Sequence, residues 1–276
     1  MSGVSGSNMR PQYDGPPTPD IAIVGAPRCG TTSVFRMLNE IPMIYGSYPK
    51  ETLYFESGYW RGAEWYRKAC YPSAEPEFIT MEGRPNIAHL PFALKRLYAD
   101  SPDCKIIYCV RDPIDQVISH WHHFYSMRPG RELEFADAID REFRAWHPNR
   151  FTMESEVTTN CDARGGMYHI PYLEAASFGT NAARIVELFG RNNLMIVLTN
   201  SIYAQGTWDR MSKFLDIDVT DVVARRENIG SGAIIDYIKE NEKETVHRLE
   251  LFLLGELKLC TNIISMFRGG ESWPSL

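Results

Sequence analysis

The run Ile21-Ala-Ile-Val-Gly-Ala-Pro-Arg-Cys-Gly-Thr-Thr-Ser-Val-Phe-Arg-Met-Leu38 constrains this chain more than any other. Ile21 to Val24 is apolar and rich in β-branched residues, which predicts a buried strand. Gly25 to Gly30 reads as a tight loop, and a helical pattern opens at Thr31. A strand that feeds a helix through such a loop aims backbone N–H groups and the positive end of the helix dipole at one point, which makes an anion site. The spacing of Gly25 and Gly30, with four residues between them, is that of the P-loop. Thr31, however, stands where a P-loop NTPase carries the lysine that reaches the outer phosphates, and a cation, Arg28, lies inside the loop instead. A loop of this kind is poorly equipped for a triphosphate with magnesium and suits a shorter anionic tail.

A strand–loop–helix unit needs a sheet around it, and the rest of the chain supplies one. Phe78–Met81, Lys105–Val110 and Leu194–Leu198 join Ile21–Val24 as expected core strands. Helices are expected at Thr31–Asn39, Leu90–Ala99, Ile114–Tyr125, Phe135–Ala145, Ala182–Phe189 and Thr207–Leu215, with a long one from about Ser231 to Leu254. Strands alternating with helices imply an α/β fold, a P-loop-like parallel sheet flanked by helices on both faces. At this length the expectation is a single domain over residues 20–276. Met1 to Pro19, rich in Ser, Gly and Pro, is expected to be a disordered tail. Arg128–Gly166 is polar, with irregular periodicity after Ala145, and is expected to be an insertion over the active site that serves as an acceptor-binding lid.

Charge and composition narrow the partners. With 29 Lys and Arg against 35 Asp and Glu, the net charge is −6, which argues against nucleic acid or a heparin-like polyanion as ligand. No apolar run approaches the ~20 residues of a membrane span, and no secretory signal is visible, so neither a membrane partner nor an exported protein is expected. The six cysteines are scattered without a CxxC pair, so no structural zinc is expected and the thiols fit a reducing cytoplasm.

A second informative stretch is Lys105-Ile-Ile-Tyr-Cys-Val-Arg-Asp-Pro-Ile-Asp-Gln-Val-Ile-Ser119. An expected buried strand ends at Arg111, and Pro113 is preset for the first turn of a helix. Ser119 follows Arg111 by eight residues and falls about two turns into that helix. Arginine at a strand end with a hydroxyl on the following helix can grip a phosphate from two sides. Alone, Arg111 and Asp112 are as consistent with helix capping as with binding; two such junctions in one chain point to a ligand.

Pro27-Arg-Cys-Gly-Thr-Thr32 resembles the 5′-phosphosulfate loop of the sulfotransferases, which use 3′-phosphoadenosine-5′-phosphosulfate (PAPS) as sulfuryl donor. Arg111-Asp-Pro with Ser119 resembles their 3′-phosphate site. Tyr59–Arg67 is similar to a Gly-x-x-Trp-Tyr segment of the heparan-type and related bacterial branch, and Met81-Glu-Gly-Arg-Pro85 to its Glu-x-x-Pro element, with Ile87 where a tyrosine is usual. Gly166-Met-Tyr168 and Lys213-Phe-Leu-Asp216 are similar to later family segments, so the resemblance runs from about Asp20 to Gly232. It implies that Pro27, Arg28, Cys29, Gly30, Thr31, Thr32 and Ser33 hold the phosphosulfate and that Arg111 and Ser119 hold the 3′-phosphate. Arg225-Arg226 stand where the family has a late basic loop over the 3′-phosphate, which assigns Arg226 there; the loop's sequence departs from the common versions, and a solvated charge pair is the competing reading.

Sulfuryl transfer to a hydroxyl needs a base for the acceptor and positive charge at the leaving phosphate. Arg28 is the expected leaving-group cation, and arginine with N–H groups can hold this charge without a metal. Two bases compete. Pro49-Lys-Glu-Thr-Leu-Tyr-Phe55 resembles the Lys-Glu-x-x-x-Phe segment of the heparan-type branch, whose glutamate is the base; Lys50 and Glu51 take those positions. His89-Leu-Pro91 resembles the His-Leu-Pro of the cytosolic branch, whose histidine is the base, although that branch carries a lysine where Ile87 stands. Glu51 is favoured, and His89 has a side chain naturally suited to the role. His120, His122 and His123 lack carboxylates at zinc-ligand spacing and read as core or pocket wall, and the aromatics Tyr54, Phe55, Tyr59, Trp60, Trp65 and Tyr66 read mainly as core. The expected protein is a PAPS-dependent sulfotransferase that transfers to a hydroxyl, or an amine, of a small-molecule acceptor. A P-loop kinase and a non-catalytic nucleotide-binding module are the alternatives.

Overall fold

The computed structural model describes residues 18–127, 130, 133–146, 171–222 and 232–268, with side chains up to 262 in the last helix. Its centre is β1 (Ile21–Gly25), buried along its whole length. Around it lie β2 (Ile44–Gly46), β3 (Ile79–Glu82), β4 (Lys105–Val110) and β5 (Leu194–Leu198) in the order β2-β3-β1-β4-β5, with every pair parallel. Ile21 aligns with Met81 on one side and with Lys105 on the other. Between β3 and β4 the chain crosses from one side of β1 to the other. The crevice at the carboxyl ends of the strands opens at such a crossing.

The expected strands are all present, Phe78–Met81 shifted by one residue to Ile79–Glu82. β2 was not foreseen: three residues are too few to set up a period-two pattern. The helices are α1 (Thr31–Leu38), α2 (Ala63–Cys70), α3 (Pro91–Asp100), α4 (Pro113–Met127), α5 (Phe135–Ala145), α6 (Tyr172–Ala176), α7 (Phe178–Phe189), α8 (Gln205–Leu215), α9 (Gly232–Asn241) and α10 (Lys243–Arg268). Both α3 and α4 open on a proline, whose fixed φ and missing N–H suit a first turn. The single long helix expected from about Ser231 is two helices. The first ends at Asn241, whose side-chain amide donates to the Tyr237 carbonyl, 2.8 Å away, and the buried stripe restarts at Val246 and Leu249.

Two apolar cores result. One surrounds the sheet and takes residues of α1, α7 and α8 such as Leu38, Ile185 and Trp208. The other joins α4, α5, α6, α9 and α10 through residues such as Val117, Ile139, Leu173, Ile238 and Leu249. Within the expected lid Arg128–Gly166, α5 packs into this second core; the stretch 147–166 lies outside the described residues, as do Met1 to Pro17 and Gly166-Met-Tyr168. Thr18 is buried and the Pro19 carbonyl accepts a hydrogen bond from Ser101 Oγ at 2.8 Å, so these two residues of the expected tail belong to the folded body.

Candidate active site

The loop after β1 is held from three directions. Gln116 of α4 donates from Nε2 to the Pro27 carbonyl at 3.1 Å. Thr199, at the end of β5, places Oγ1 2.9 Å from the Cys29 carbonyl and 3.0 Å from that of Val110. Gly30, with φ +84, turns the chain into α1; a Cβ there would overlap Ile202 Cδ1, so both conformation and space require glycine. The first-turn N–H groups of α1, at Thr31, Thr32 and Ser33, have no partner within the helix, as at any helix N-terminus. Cys29 contributes backbone only: burial pushes its thiol up to about 12, so it is inert as a nucleophile.

Arg28 sits in the left-handed region, φ 64, which throws its side chain across the loop toward α4. Its Nε lies 3.3 Å from Ser119 Oγ. Arg111 donates from Nη1 to the Arg28 carbonyl at 3.4 Å and from Nη2 to Asp115 at 3.2 Å. Asp115 is shared, since its other oxygen lies 2.6 Å from Lys239 Nζ on α9. Arg28 has no carboxylate partner among the described residues. Burial lowers its pKa from the usual arginine value, and Arg111 lowers it further. The two anion junctions read from the sequence therefore adjoin, with Ser119 reaching Arg28. Arg225 and Arg226 lie outside the described residues.

The second half of the site is organised by the end of β3. Lys50 donates to the Gly83 carbonyl at 2.8 Å and lies 3.4 Å from Glu51; burial lowers its pKa. Arg84 pairs with Glu51 at 2.5 Å and with both oxygens of Glu56 at 2.5 and 2.8 Å. This surplus of carboxylate holds Arg84 firmly protonated despite its burial. Glu82, fully buried, accepts from Tyr66 Oη at 2.6 Å, Thr52 Oγ1 at 2.8 Å and the Thr52 N–H at 3.4 Å. The roles of Glu82 and Arg84 were missed in the sequence. The available signal was two charged residues at the end of an apolar strand, where burial demands partners.

The two bases proposed from sequence occupy opposite environments. Glu51 has a side chain 42% exposed. His89 is 2% exposed, and its Nδ1 has no hydrogen-bond partner among the described residues. Burial, reinforced by Arg84 and Arg184, drives His89 down to about 3, so it is neutral. His120, also buried and neutral, contacts Tyr172 edge-on at 5.1 Å. His123, one turn beyond Ser119 on α4, is lowered by burial and by Arg28 and raised by Glu51, which sets it electrostatically between the two halves of the site. Tyr54, Phe55, Tyr59 and Tyr66 are buried against one another as core, whereas Trp60 is 78% exposed beneath Arg61. Among the described residues no helix is long and apolar enough to cross a membrane, and no group of three or more metal-type side chains converges.

The sheet thus carries, at its β1–α1 loop, threonine where a P-loop NTPase has lysine and two adjoining arginines, Arg28 and Arg111. The model of the sulfotransferase domain matches residues 18–165, more than half of the chain, and the chain belongs to that family. It is 32% identical over 144 residues to heparan sulfate glucosamine 3-O-sulfotransferase 6 of Homo sapiens, a match covering 50% of this chain and 41% of that protein. It is 32% identical over 106 residues to membrane-associated sulfotransferase kil1 of Dictyostelium discoideum, covering 38% of this chain and 22% of that protein. The chain thus spans less than half the length of these curated relatives. A sulfotransferase from Alicyclobacillus acidocaldarius superposes with a TM-score of 0.58 at 21% identity, over 85% of this chain and 95% of that one. The shared fold therefore extends well past the segment that matches in sequence.

Proposed function

We propose that the chain transfers a sulfuryl group from PAPS to a hydroxyl of a small-molecule acceptor. The carrying observation is Arg28 beside Arg111 at the N-terminus of α1, with Arg28 lacking any carboxylate partner among the described residues. Two guanidinium groups and a turn of N–H donors fit a ligand with closely spaced anionic groups. In this reading Pro27 to Ser33 hold the 5′-phosphosulfate, and Arg111 with Ser119 holds the 3′-phosphate. Arg226 is assigned to that phosphate on the family resemblance alone. Bound PAPS supplies an activated sulfuryl group whose leaving group is adenosine 3′,5′-bisphosphate.

The protein's own residues then divide the work. Glu51 takes the proton of the acceptor hydroxyl as its oxygen attacks. Arg28 and the N–H groups of α1 hold the charge that develops on the opposite side. Lys50, pinned to Gly83, and Arg84 orient Glu51. Exposure supports Glu51 over His89: a base must meet the acceptor, and His89 is enclosed. A net charge of −6 supports a small acceptor. The heparan sulfate relatives favour a second reading, a sugar hydroxyl of a glycan. The five cysteines among the described residues are free and buried, which supports a cytoplasmic setting.

A thermal-shift titration tests the donor. Adenosine 3′,5′-bisphosphate is expected to raise the melting temperature far more than adenosine 5′-monophosphate or ATP with magnesium, because only a ligand of the folded state stabilises by mass action. Equal shifts for the mono- and bisphosphate refute the 3′-phosphate assignment. Turnover on a panel of small alcohols, phenols and heparan oligosaccharides then separates the two acceptor readings.

A further inference from the structure

The end of β3 does more than border the site. Three consecutive residues there reach into the segment 50–56 that carries Glu51. The Gly83 carbonyl takes Lys50, Arg84 takes Glu51 and Glu56, and Glu82 takes Thr52 through both its N–H and its hydroxyl. Glu82 is the deepest of the three. It accepts three donors from two separate segments, the third being Tyr66 Oη of α2, and that hydroxyl is itself 3.0 Å from Tyr71 Oη. A buried carboxylate saturated by donors fixes the groups that donate to it. Thr52 is the residue next to Glu51, so whatever holds Thr52 holds the backbone from which Glu51 projects.

We propose that Glu82 is a positioning residue for sulfuryl transfer, whose carboxylate sets the placement of Glu51 through Thr52 and thereby makes turnover depend on its own protonation. The inference rests on the reading of Glu51 as the base.

The geometry explains how protonation enters. An ionised carboxylate only accepts, and it can satisfy the Thr52 N–H, the Thr52 hydroxyl and the Tyr66 hydroxyl together. Once protonated it loses the charge that strengthens all three bonds and must itself donate one, with the Tyr66 hydroxyl (free to turn to Tyr71) or the Thr52 hydroxyl reversing, so the grip on Thr52 weakens. The groups facing it are few. Tyr66 and Tyr71 lie on one side, Thr52 on another, and the cations Lys50 and Arg84 beyond; the thiols of Cys70 and Cys104 feel its charge. Burial pushes the carboxyl up to about 7, against the downward pull of Tyr66, Thr52 and Arg84. The switch between the two hydrogen-bond patterns therefore falls near neutral pH.

The test compares the wild-type chain with Glu82→Gln and Thr52→Val. For each, kcat and KM for PAPS are measured from pH 5.5 to 9 with one acceptor, beside the melting shift with adenosine 3′,5′-bisphosphate. In the wild type kcat is expected to rise through pH 7. In both variants kcat falls about ten- to a hundredfold, the cost of displacing a reacting group by a fraction of an ångström to an ångström, while KM for PAPS and the bisphosphate shift are kept. In Glu82→Gln the rise through pH 7 disappears. Wild-type kcat and an unchanged pH profile in Glu82→Gln overturn the proposal. If that variant does not fold, wild-type kcat in Thr52→Val overturns it alone. A wild-type protein that shows no bisphosphate shift refutes the donor assignment, and the proposal with it. A bisphosphate shift with full turnover in Glu51→Gln refutes the base instead.

Discussion

Replacing Glu82 by Gln changes how stability depends on pH, and the sign follows from the buried carboxyl. In the folded chain the group is raised from its ordinary value of 4.5 to about 7 by burial. Between those values the folded state binds a proton that the unfolded chain has released. Stability therefore falls as pH rises through this window: the favourable contribution is complete below 4.5 and gone above 7. A rise of this size corresponds to about 3 kcal/mol, or on the order of 5–10 °C in melting temperature for a domain of this size. Gln has no proton to lose, so it lacks the decline. Its altered hydrogen bonds add a pH-independent offset, which cancels when the difference between variant and wild type is compared at two pH values. Calorimetry at pH 4.5 and pH 8.5 is the assay. The melting temperature of Glu82→Gln relative to wild type is expected to be higher at pH 8.5 than at pH 4.5 by that amount. An equal difference at both values refutes the claim that Glu82 is buried in a poorly solvating environment, and the pH-linked part of the positioning argument falls with it. The same carboxyl thus carries a conflict: ionisation gives the better grip on Thr52 and the less stable fold.

Two further outcomes follow from the site. Glu51→Gln is expected to abolish turnover while the bisphosphate melting shift survives, because its exposed side chain contributes to neither anion junction; full activity in this variant refutes its role as base. Arg28→Ala is expected to weaken bisphosphate binding by roughly ten- to a hundredfold, the range for losing a charged hydrogen-bonding group of about 1.5–3 kcal/mol, read by isothermal titration; unchanged affinity refutes the assignment of Arg28 to the anion.

The parts of the fold legible in the sequence are those governed by local rules. β1, β4 and β5 are continuous apolar runs, and α1 and α4 open on glycine or proline signals, so each announces itself within a dozen residues. The P-loop-like turn was legible because a helix N-terminus aimed at an anion tolerates few residue types at fixed spacing. What the sequence concealed is long-range. Arg28 and Ser119 are separated by 91 positions, so local pattern could place each at an anion junction but could not show that the junctions touch. Arg84 was legible only as part of the Met81–Pro85 element; that Glu51 and Glu56, 33 and 28 positions away, close on it was not. His89-Leu-Pro91 made His89 a rival to Glu51 as base, and nothing local reveals that its ring is enclosed. The α9–α10 break was hidden because apolar positions on both sides of it, Ile235 and Ile238 and then Val246 and Leu249, keep helical spacing and no proline marks the junction.

The tip of β3 has a consequence for how this sequence can change. Glu82 answers to three hydrogen-bond donors. Gly83 answers to space, since a Cβ there would stand 2.5 Å from Phe35 Cδ2 and 3.1 Å from the Lys50 stem. Arg84 answers to two carboxylates. Each residue is fixed for a different reason, yet all three act on one segment. Substitutions here are therefore epistatic: the effect of altering any one depends on what occupies Lys50, Glu51, Thr52 and Glu56. A library that randomises the three positions singly keeps each new residue facing unchanged partners, while one that varies both segments together can find new combinations, so this corner of the fold is open to laboratory evolution chiefly through paired changes.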